Sequence, residues 1–169
     1  FGTGEPIEGP SASNWLGTDA LARDTFARIA HGAWVSLTVA IVSVLFGIVV
    51  GGFLGTLVGF VRGRTETMIM SVIDVILAFP ALVLLLALAA IFEVRDLLVI
   101  SGVIGFLSIP AYTRVARANS LAISNREFVL AARSIGTKQR KILFREIFPN
   151  VLPTLVAYAM VASAFVIVV

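Results

Sequence analysis

Between Trp34 and Val61 the chain carries 28 consecutive residues without a formally charged side chain. At about 1.5 Å of rise per residue, a helix of that length exceeds the roughly 30 Å of hydrocarbon in a bilayer. The rest of the chain repeats the pattern. Thr67 to Phe92 carries Asp74 alone, Leu97 to Thr113 is shorter and includes Pro110, and an uncharged run from Ile147 contains Pro149 and Pro153 and reaches Val169. Four membrane spans are predicted, 34–61, 67–92, 97–113 and 147–169, in an all-α polytopic transmembrane helix bundle. Composition agrees, because 59% hydrophobic against 14% charged residues lies outside soluble-domain usage. Core helices of a large soluble enzyme do not explain four such runs together with the charge bias between them.

That bias sets the orientation, since short cytoplasmic loops carry the excess of Lys and Arg. Arg62 and Arg64 fall between the first two spans; Arg114, Arg117, Arg126, Arg133, Lys138, Arg140, Lys141 and Arg145 fall between the last two. Arg23, Arg28 and Arg95 fall on the opposite side. Residues 114–146 therefore form a cytoplasmic loop, and 1–33 an extracytoplasmic segment. Within that segment a helix starting near Thr18 or Asp19 would set Leu21, Thr25, Phe26 and Ile29 against the membrane surface. The net charge of +3 does not indicate nucleic acid, because the basic residues alternate with membrane-length runs. Phe1 is not an initiator and Val169 falls inside an apolar run, so the chain is expected to be part of a longer subunit.

Little in the sequence supports catalysis. There is no cysteine and one histidine, His31, hence no thiolate metal site, no thiol nucleophile and no paired acid and base at membrane depth. The only lysines, Lys138 and Lys141, are not part of a phosphate-binding Gly-x-x-x-x-Gly-Lys loop, so no nucleotide or metal cofactor is assigned to this chain.

Other residues suggest structural and coupling roles. Gly47, Gly51, Gly55 and Gly59 recur every four residues, lining one helix face so that a neighbouring helix can approach closely. Packing within the bundle is favoured over a seam between subunits. Asp74 is the one acid inside an apolar run, a functional candidate by its depth. It also lies about two turns from Glu66 and the Arg62/Arg64 loop, where capping or pairing is the favoured reading. Pro80 and Pro110 each withhold a backbone donor within a span and should bend it. In the cytoplasmic loop, Asn125 to Ile135 favours helix, Gly136 breaks it, and Lys138 to Ile147 forms a second basic helical run. The elbow presents small Ala131 and Ala132 beside apolar Phe128, Val129 and Ile135. Docking on a protein partner and lying on anionic lipid are equally compatible with this pattern.

The sequence Ala131-Ala132-Arg133-Ser134-Ile135-Gly136, followed thirteen positions after the glycine by Pro149, resembles the EAA loop of binding-protein-dependent ABC importer permeases. Trp15-Leu16-Gly17-Thr18-Asp19-Ala20-Leu21-Ala22-Arg23-Asp24 is similar to an outer motif of the C-type permease in the dipeptide, oligopeptide and nickel importers, and Asp74 to Pro80 also fits that family. Three positions depart from the pattern. Leu130 replaces the glutamate of the loop, Ala22 the second glycine of the outer motif, and Phe148 the leucine before the proline.

The resemblance implies a subunit of the type I ABC importer permease kind with six spans, the first and last outside this sequence. Its partners would be a homologous permease, two cytoplasmic ATPases holding ATP and Mg, an extracytoplasmic substrate-binding protein and membrane lipid. Glu127, Phe128, Ala131, Ala132, Arg133 and Gly136 would form the ATPase-coupling elbow, with Asp74, Pro80, Pro110 and Pro149 structural or gating. Short peptides are the expected cargo and the bacterial inner membrane the expected location. Nickel or another small solute is the alternative cargo. A secondary transporter or a membrane scaffold is less favoured.

Overall fold

A computed structural model describes residues 4–92 and 96–168, the side chains of Phe165 and Val168 excepted. Phe1, Arg95 and Val169, used above for the chain's extent and its outer charge, lie outside the described residues. The chain divides into two compact units, Phe1–Thr38 and Val39–Val169.

In the first unit, residues 4–24 form an irregular loop ahead of α1 (Thr25–Phe46). The helix expected near Thr18 is not there. Asp19 instead accepts the backbone N–H groups of Leu21 and Arg23 at 2.8 and 3.0 Å and the guanidinium groups of Arg23 and Arg28 at 2.9 and 2.5 Å. The Arg23 N–H foremost, with the Leu21 N–H and the Arg23 guanidinium, holds its carboxyl down at about 2. A side chain that closes a loop on itself competes with helix formation. The helix starts only after Asp24, whose Oδ1 accepts from Phe26 N at 2.9 Å, an N-cap contact. Ala22 sits at φ 57°, a left-handed conformation that glycine adopts without steric cost. The alanine in the outer motif therefore stands where the backbone itself favours glycine.

In the second unit the first span continues from α1 through a π-helical stretch, Gly47–Gly52, into α2 (Phe53–Val61). The helical run Thr25–Val61 is 37 residues long, so the boundary expected at Trp34 is not a break in the helix. Arg62 and Gly63, at φ 58° and 72°, reverse the chain into α3 (Arg64–Leu77). There the expected single span 67–92 is broken: α3 and α4 (Ala81–Ile91) meet at 87°. Pro80 is the cause, because it lacks a donor and its ring disfavours helical geometry at Phe79.

The third span is longer than expected. Helix α5 (Leu97–Ser124) passes Pro110 without interruption and carries Arg114 and Arg117, which the sequence had placed in the loop. Asp96 caps it, accepting from Leu98 N at 3.3 Å. After α6 (Glu127–Ser134) and the short α7 (Gln139–Ile142), a second π-helical stretch, Leu143–Ile147, leads into α8 (Phe148–Val168). The last span thus starts near Gln139, not Ile147, and Pro149 and Pro153 lie within continuous helix. A π turn widens the backbone just before Pro149, whose ring would clash with a carbonyl four residues back in a regular helix.

Helix directions follow from the contacts. Gly47 lies against Ser108 and Tyr112, and Gly59 against Arg117 and Ser120, so α2 and α5 run parallel. Along α5 in the opposite sense, Asp74 meets Arg114, Ala81 and Leu82 line a groove with Ile104 and Ser108, and Phe92 lines one with Val99. The broken α3–α4 pair therefore runs in the reverse direction to α5, and the described residues hold three helices long and apolar enough to cross a membrane, or four if this bent pair makes one crossing. The buried core joins Tyr112 and Ala116 of α5, Val129 of α6, Ile142 of α7, and Val151, Leu155 and Ala159 of α8.

Candidate functional site

The glycine face packs on α5. A Cβ on Gly51 would lie 2.7 Å from Ile109 O, and one on Gly59 would lie 2.7 Å from Arg117 O; one on Gly47 would meet the Tyr112 ring at 2.6 Å, and one on Gly55 would strike Thr113 O and Ala116. Without side chains there, hydroxyls bridge the two helices. Ser43 Oγ donates to Ser101 O and Ser120 Oγ to Thr56 O, both at 2.8 Å. In lipid such close packing and interhelical hydrogen bonding hold helices together, because apolar burial gives them little advantage.

Two ion pairs tie α3 to the C-terminal half of α5. Arg114 Nη2 donates to Asp74 Oδ1 at 2.6 Å, and Arg117 donates to Glu66 Oε1 from Nε at 2.6 Å and from Nη2 at 2.5 Å. Asp74 is thus engaged by an arginine 40 residues away in sequence. The Glu66–Arg117 pair was missed in the sequence, because Arg117 was assigned to a loop. The absence of a Gly or Pro breaker between Pro110 and Ser124 was the available signal that the helix continues.

The elbow is built from α6, Gly136 and α7. Gly136 has φ +76°. Its N–H bonds Arg133 O and that of Thr137 bonds Ala132 O, each at 3.0 Å. This is the paired closure of a Schellman motif, which a left-handed residue permits. Nothing lies within 4 Å of a Cβ placed on Gly136. Val129, read from sequence as an outward anchor, is instead fully buried in the core with Ile142 and Ile147. A helix can turn only one stripe inward, and burying Val129 presents Phe128, Leu130 and Ile135 outside, the last 83% exposed. Ala131 is exposed and Ala132 half-buried. Glu127 opens the first turn of α6, where a carboxylate suits the positive end of the helix dipole. The Arg133 guanidinium lies 5.5 Å over the Phe60 ring, a cation–π contact that pins the elbow to the end of α2. Pro149 is exposed near the start of α8. Beside the elbow, a polar groove of about 830 Å³ separates α5, α6 and α8.

Residues 47–168, which hold the seam, the broken crossing and the elbow, match the family described as binding-protein-dependent transport system inner membrane component. The chain belongs to this family. Among relatives of this inner membrane component is the glutathione transport system permease protein GsiD of Pectobacterium atrosepticum, 40% identical over 151 residues, covering 89% of this chain and 50% of that relative. The dipeptide transport system permease protein DppC of Alkalihalophilus pseudofirmus is 33% identical over 155 residues, covering 90% and 50%. The chain spans about half the length of these relatives. An all-helical permease architecture with multiple membrane crossings accords with the family.

Proposed function

We propose that this chain is the translocation subunit of an ATP-driven importer of short peptides, multi-pass in a bacterial inner membrane. Residues to about 33 lie on the extracytoplasmic side, and 34–169 belong to the translocation domain. An extracytoplasmic binding protein delivers cargo to this subunit and a homologous permease, and two cytoplasmic ATPases supply the ATP and Mg chemistry.

The observation that carries the reading is the elbow's two-sidedness. Val129 is rooted in the bundle core while Phe128, Leu130 and Ile135 project from the same short helix. A knob with apolar side chains outside and a fixed root inside suits a groove on a moving neighbour. Glu127, Phe128, Ala131 and Ala132 supply the docking face, Gly136 sets its angle, and Arg133 steadies it through Phe60. Asp74 with Arg114, together with Pro80, Pro110 and Pro149, shapes the crossings that respond. ATP binds the closed ATPase pair more tightly, and that difference in affinity drives the docked elbow between two positions.

The test is Gly136→Asp in the whole importer, followed by ATPase co-purification and peptide uptake. A carboxylate on the docking face should reduce uptake about tenfold or more, equivalent to ~1.4 kcal/mol of lost coupling. Uptake and ATPase retention at the parent level overturn the assignment.

A further inference from the structure

The grooves of the bundle differ in chemistry. The one beside the elbow has polar walls, Asn119, Asn150 and Thr154 among them. Another, of about 500 Å³, lies between α8 and the first span where the π-helical stretch enters α2, and its walls are apolar. Ile48, Val49, Phe53, Phe148 and Leu152 line it, and the buried Leu155 closes its base. On α8 it extends from Phe148 to Leu155, about 10 Å of helix. Such a groove suits a lipid chain or another helix, and its own residues do not choose between them. The residues at its end do.

Phe53 stacks on Phe144 with ring centroids 6.5 Å apart and meets Phe148 edge-on at 6.4 Å. The Arg140 guanidinium in turn lies 6.0 Å over the Phe144 ring. A guanidinium stacked on a ring keeps its N–H edge free, and that edge matches paired phosphate oxygens. Lys141 and Arg145 repeat the four-residue spacing of Arg140 and Phe144 one position on, so the three cations share one side of this helical run. All three are exposed, and none is in an ion pair among the described residues, whereas Arg114 and Arg117 are. From Thr137 to Arg145 the chain carries four basic residues, Lys138 being the other, and no acid. Apolar wall thus passes directly into uncompensated positive charge. That is the complement of an acyl chain ending in a phosphate.

We infer that this groove binds an anionic phospholipid: one acyl chain lies against Ile48, Phe53, Leu152 and Leu155, and the phosphate is held by Arg140 with Lys141 and Arg145. A covering helix would match the apolar walls and leave the three cations uncompensated, whereas a phospholipid matches both with one molecule. The inference goes beyond the importer reading and needs only that the first span and α8 cross a bilayer. It also divides the loop whose sequence fits protein and lipid equally. The apolar face of α6, before Gly136, is left for a protein neighbour, and the basic run after Gly136 takes the lipid. Arg133 rests on Phe60, and Arg140 rests through Phe144 on Phe53, so both arms of the elbow lean on α2. A lipid seated at Arg140 holds the second arm there.

The test uses the complete complex with the photo-crosslinking residue p-benzoylphenylalanine in place of Val49 or Leu152, both exposed at the groove. It is placed in bilayers of equal phosphatidylglycerol and phosphatidylcholine and irradiated, and adducts on this subunit are read by intact mass. Phosphatidylglycerol should be added about tenfold more than phosphatidylcholine, because each cation near a membrane surface adds to the attraction for anionic lipid. Arg140→Gln, Lys141→Gln and Arg145→Gln combined should bring the ratio close to parity. Without any crosslinker, native mass spectrometry should find phosphatidylglycerol retained by the parent through detergent exchange and lost from the triple variant. Lipid adducts at parity in the parent, no lipid adduct at either position, or a preference unchanged in the triple variant overturn the inference. So do cross-links to polypeptide in place of lipid, which would assign the groove to a helix contact. The importer reading stands or falls separately, on peptide uptake.

Discussion

Gly55 in the α2–α5 seam and Gly136 in the elbow are the same residue in opposite surroundings. At Gly55 a Cβ would strike the Thr113 carbonyl and the Ala116 side chain; at Gly136 it would meet nothing within 4 Å, but the backbone stands at φ +76°. The first glycine provides room for a neighbouring helix and the second a turn. The seam has no room for a side chain, while the elbow has room within this chain and resists a change of backbone angle. The seam holds the shape of the bundle, and the elbow fixes the angle of a projection.

That contrast breaks most sharply in the seam. Gly55→Ala should cost about 3 kcal/mol or more, the upper end for overpacking, because the obstruction is backbone that cannot rotate aside. Gly102→Ala is the matched control in α5. A Cβ there meets nothing within 4 Å, so it should gain about 0.5–1 kcal/mol from helix propensity. Thermal unfolding in detergent, followed by fluorescence-detected size exclusion, reads both; equal effects at the two positions would show that the seam is not tight.

In the elbow, Gly136→Ala should cost about 1–2 kcal/mol through the left-handed conformation, and Gly136→Asn less, because its side chain tolerates that region. Proteolysis at the elbow would rank the three residues Gly, Asn, Ala. A reversed order for Asn and Ala would mean that surrounding space, not φ, governs the site. The smallest effect is expected at Ala22, which shares the elbow's kind of constraint at φ 57°. Ala22→Gly should relieve the strain at some cost in chain freedom, a net gain of about 0.5–1 kcal/mol. Amide exchange across residues 17–24 would show it as slower opening of the Asp19 loop, and faster opening would contradict the strain argument.

The parts of the fold legible in the sequence were those set by local length and spacing. The 28-residue uncharged run, the four-residue glycine repeat and the Gly136 break each depend on residues close together in the chain. What the sequence misplaced depended on distant partners. Helix α5 runs past Thr113 because Arg114 and Arg117 find Asp74 and Glu66, 40 and 51 residues away. The outer helix is delayed to Thr25 because Asp19 spends its acceptors on closing a loop. The last helix begins early because a π turn accommodates Pro149. Within the elbow, Val129 was read as an outward anchor because apolar character alone does not say whether a residue faces the core or a partner; that was set by how α6 docks on α5 and α7. The polar groove went unnoticed for a related reason. Asn119 and Thr154 are unremarkable until the two helices stand side by side, although the Asn150–Thr154 spacing in an apolar run was a usable hint.

The seam also determines how motion can pass through the molecule. With carbonyls of α5 seated against bare backbone at Gly51, Gly55 and Gly59, and the Tyr112 ring against Gly47, the two helices have no clearance to slide and must travel as one strut. A push applied at Asn125 therefore reaches Leu97 with its amplitude preserved, and the flexing has to occur elsewhere, at the right-angled joint before Ala81.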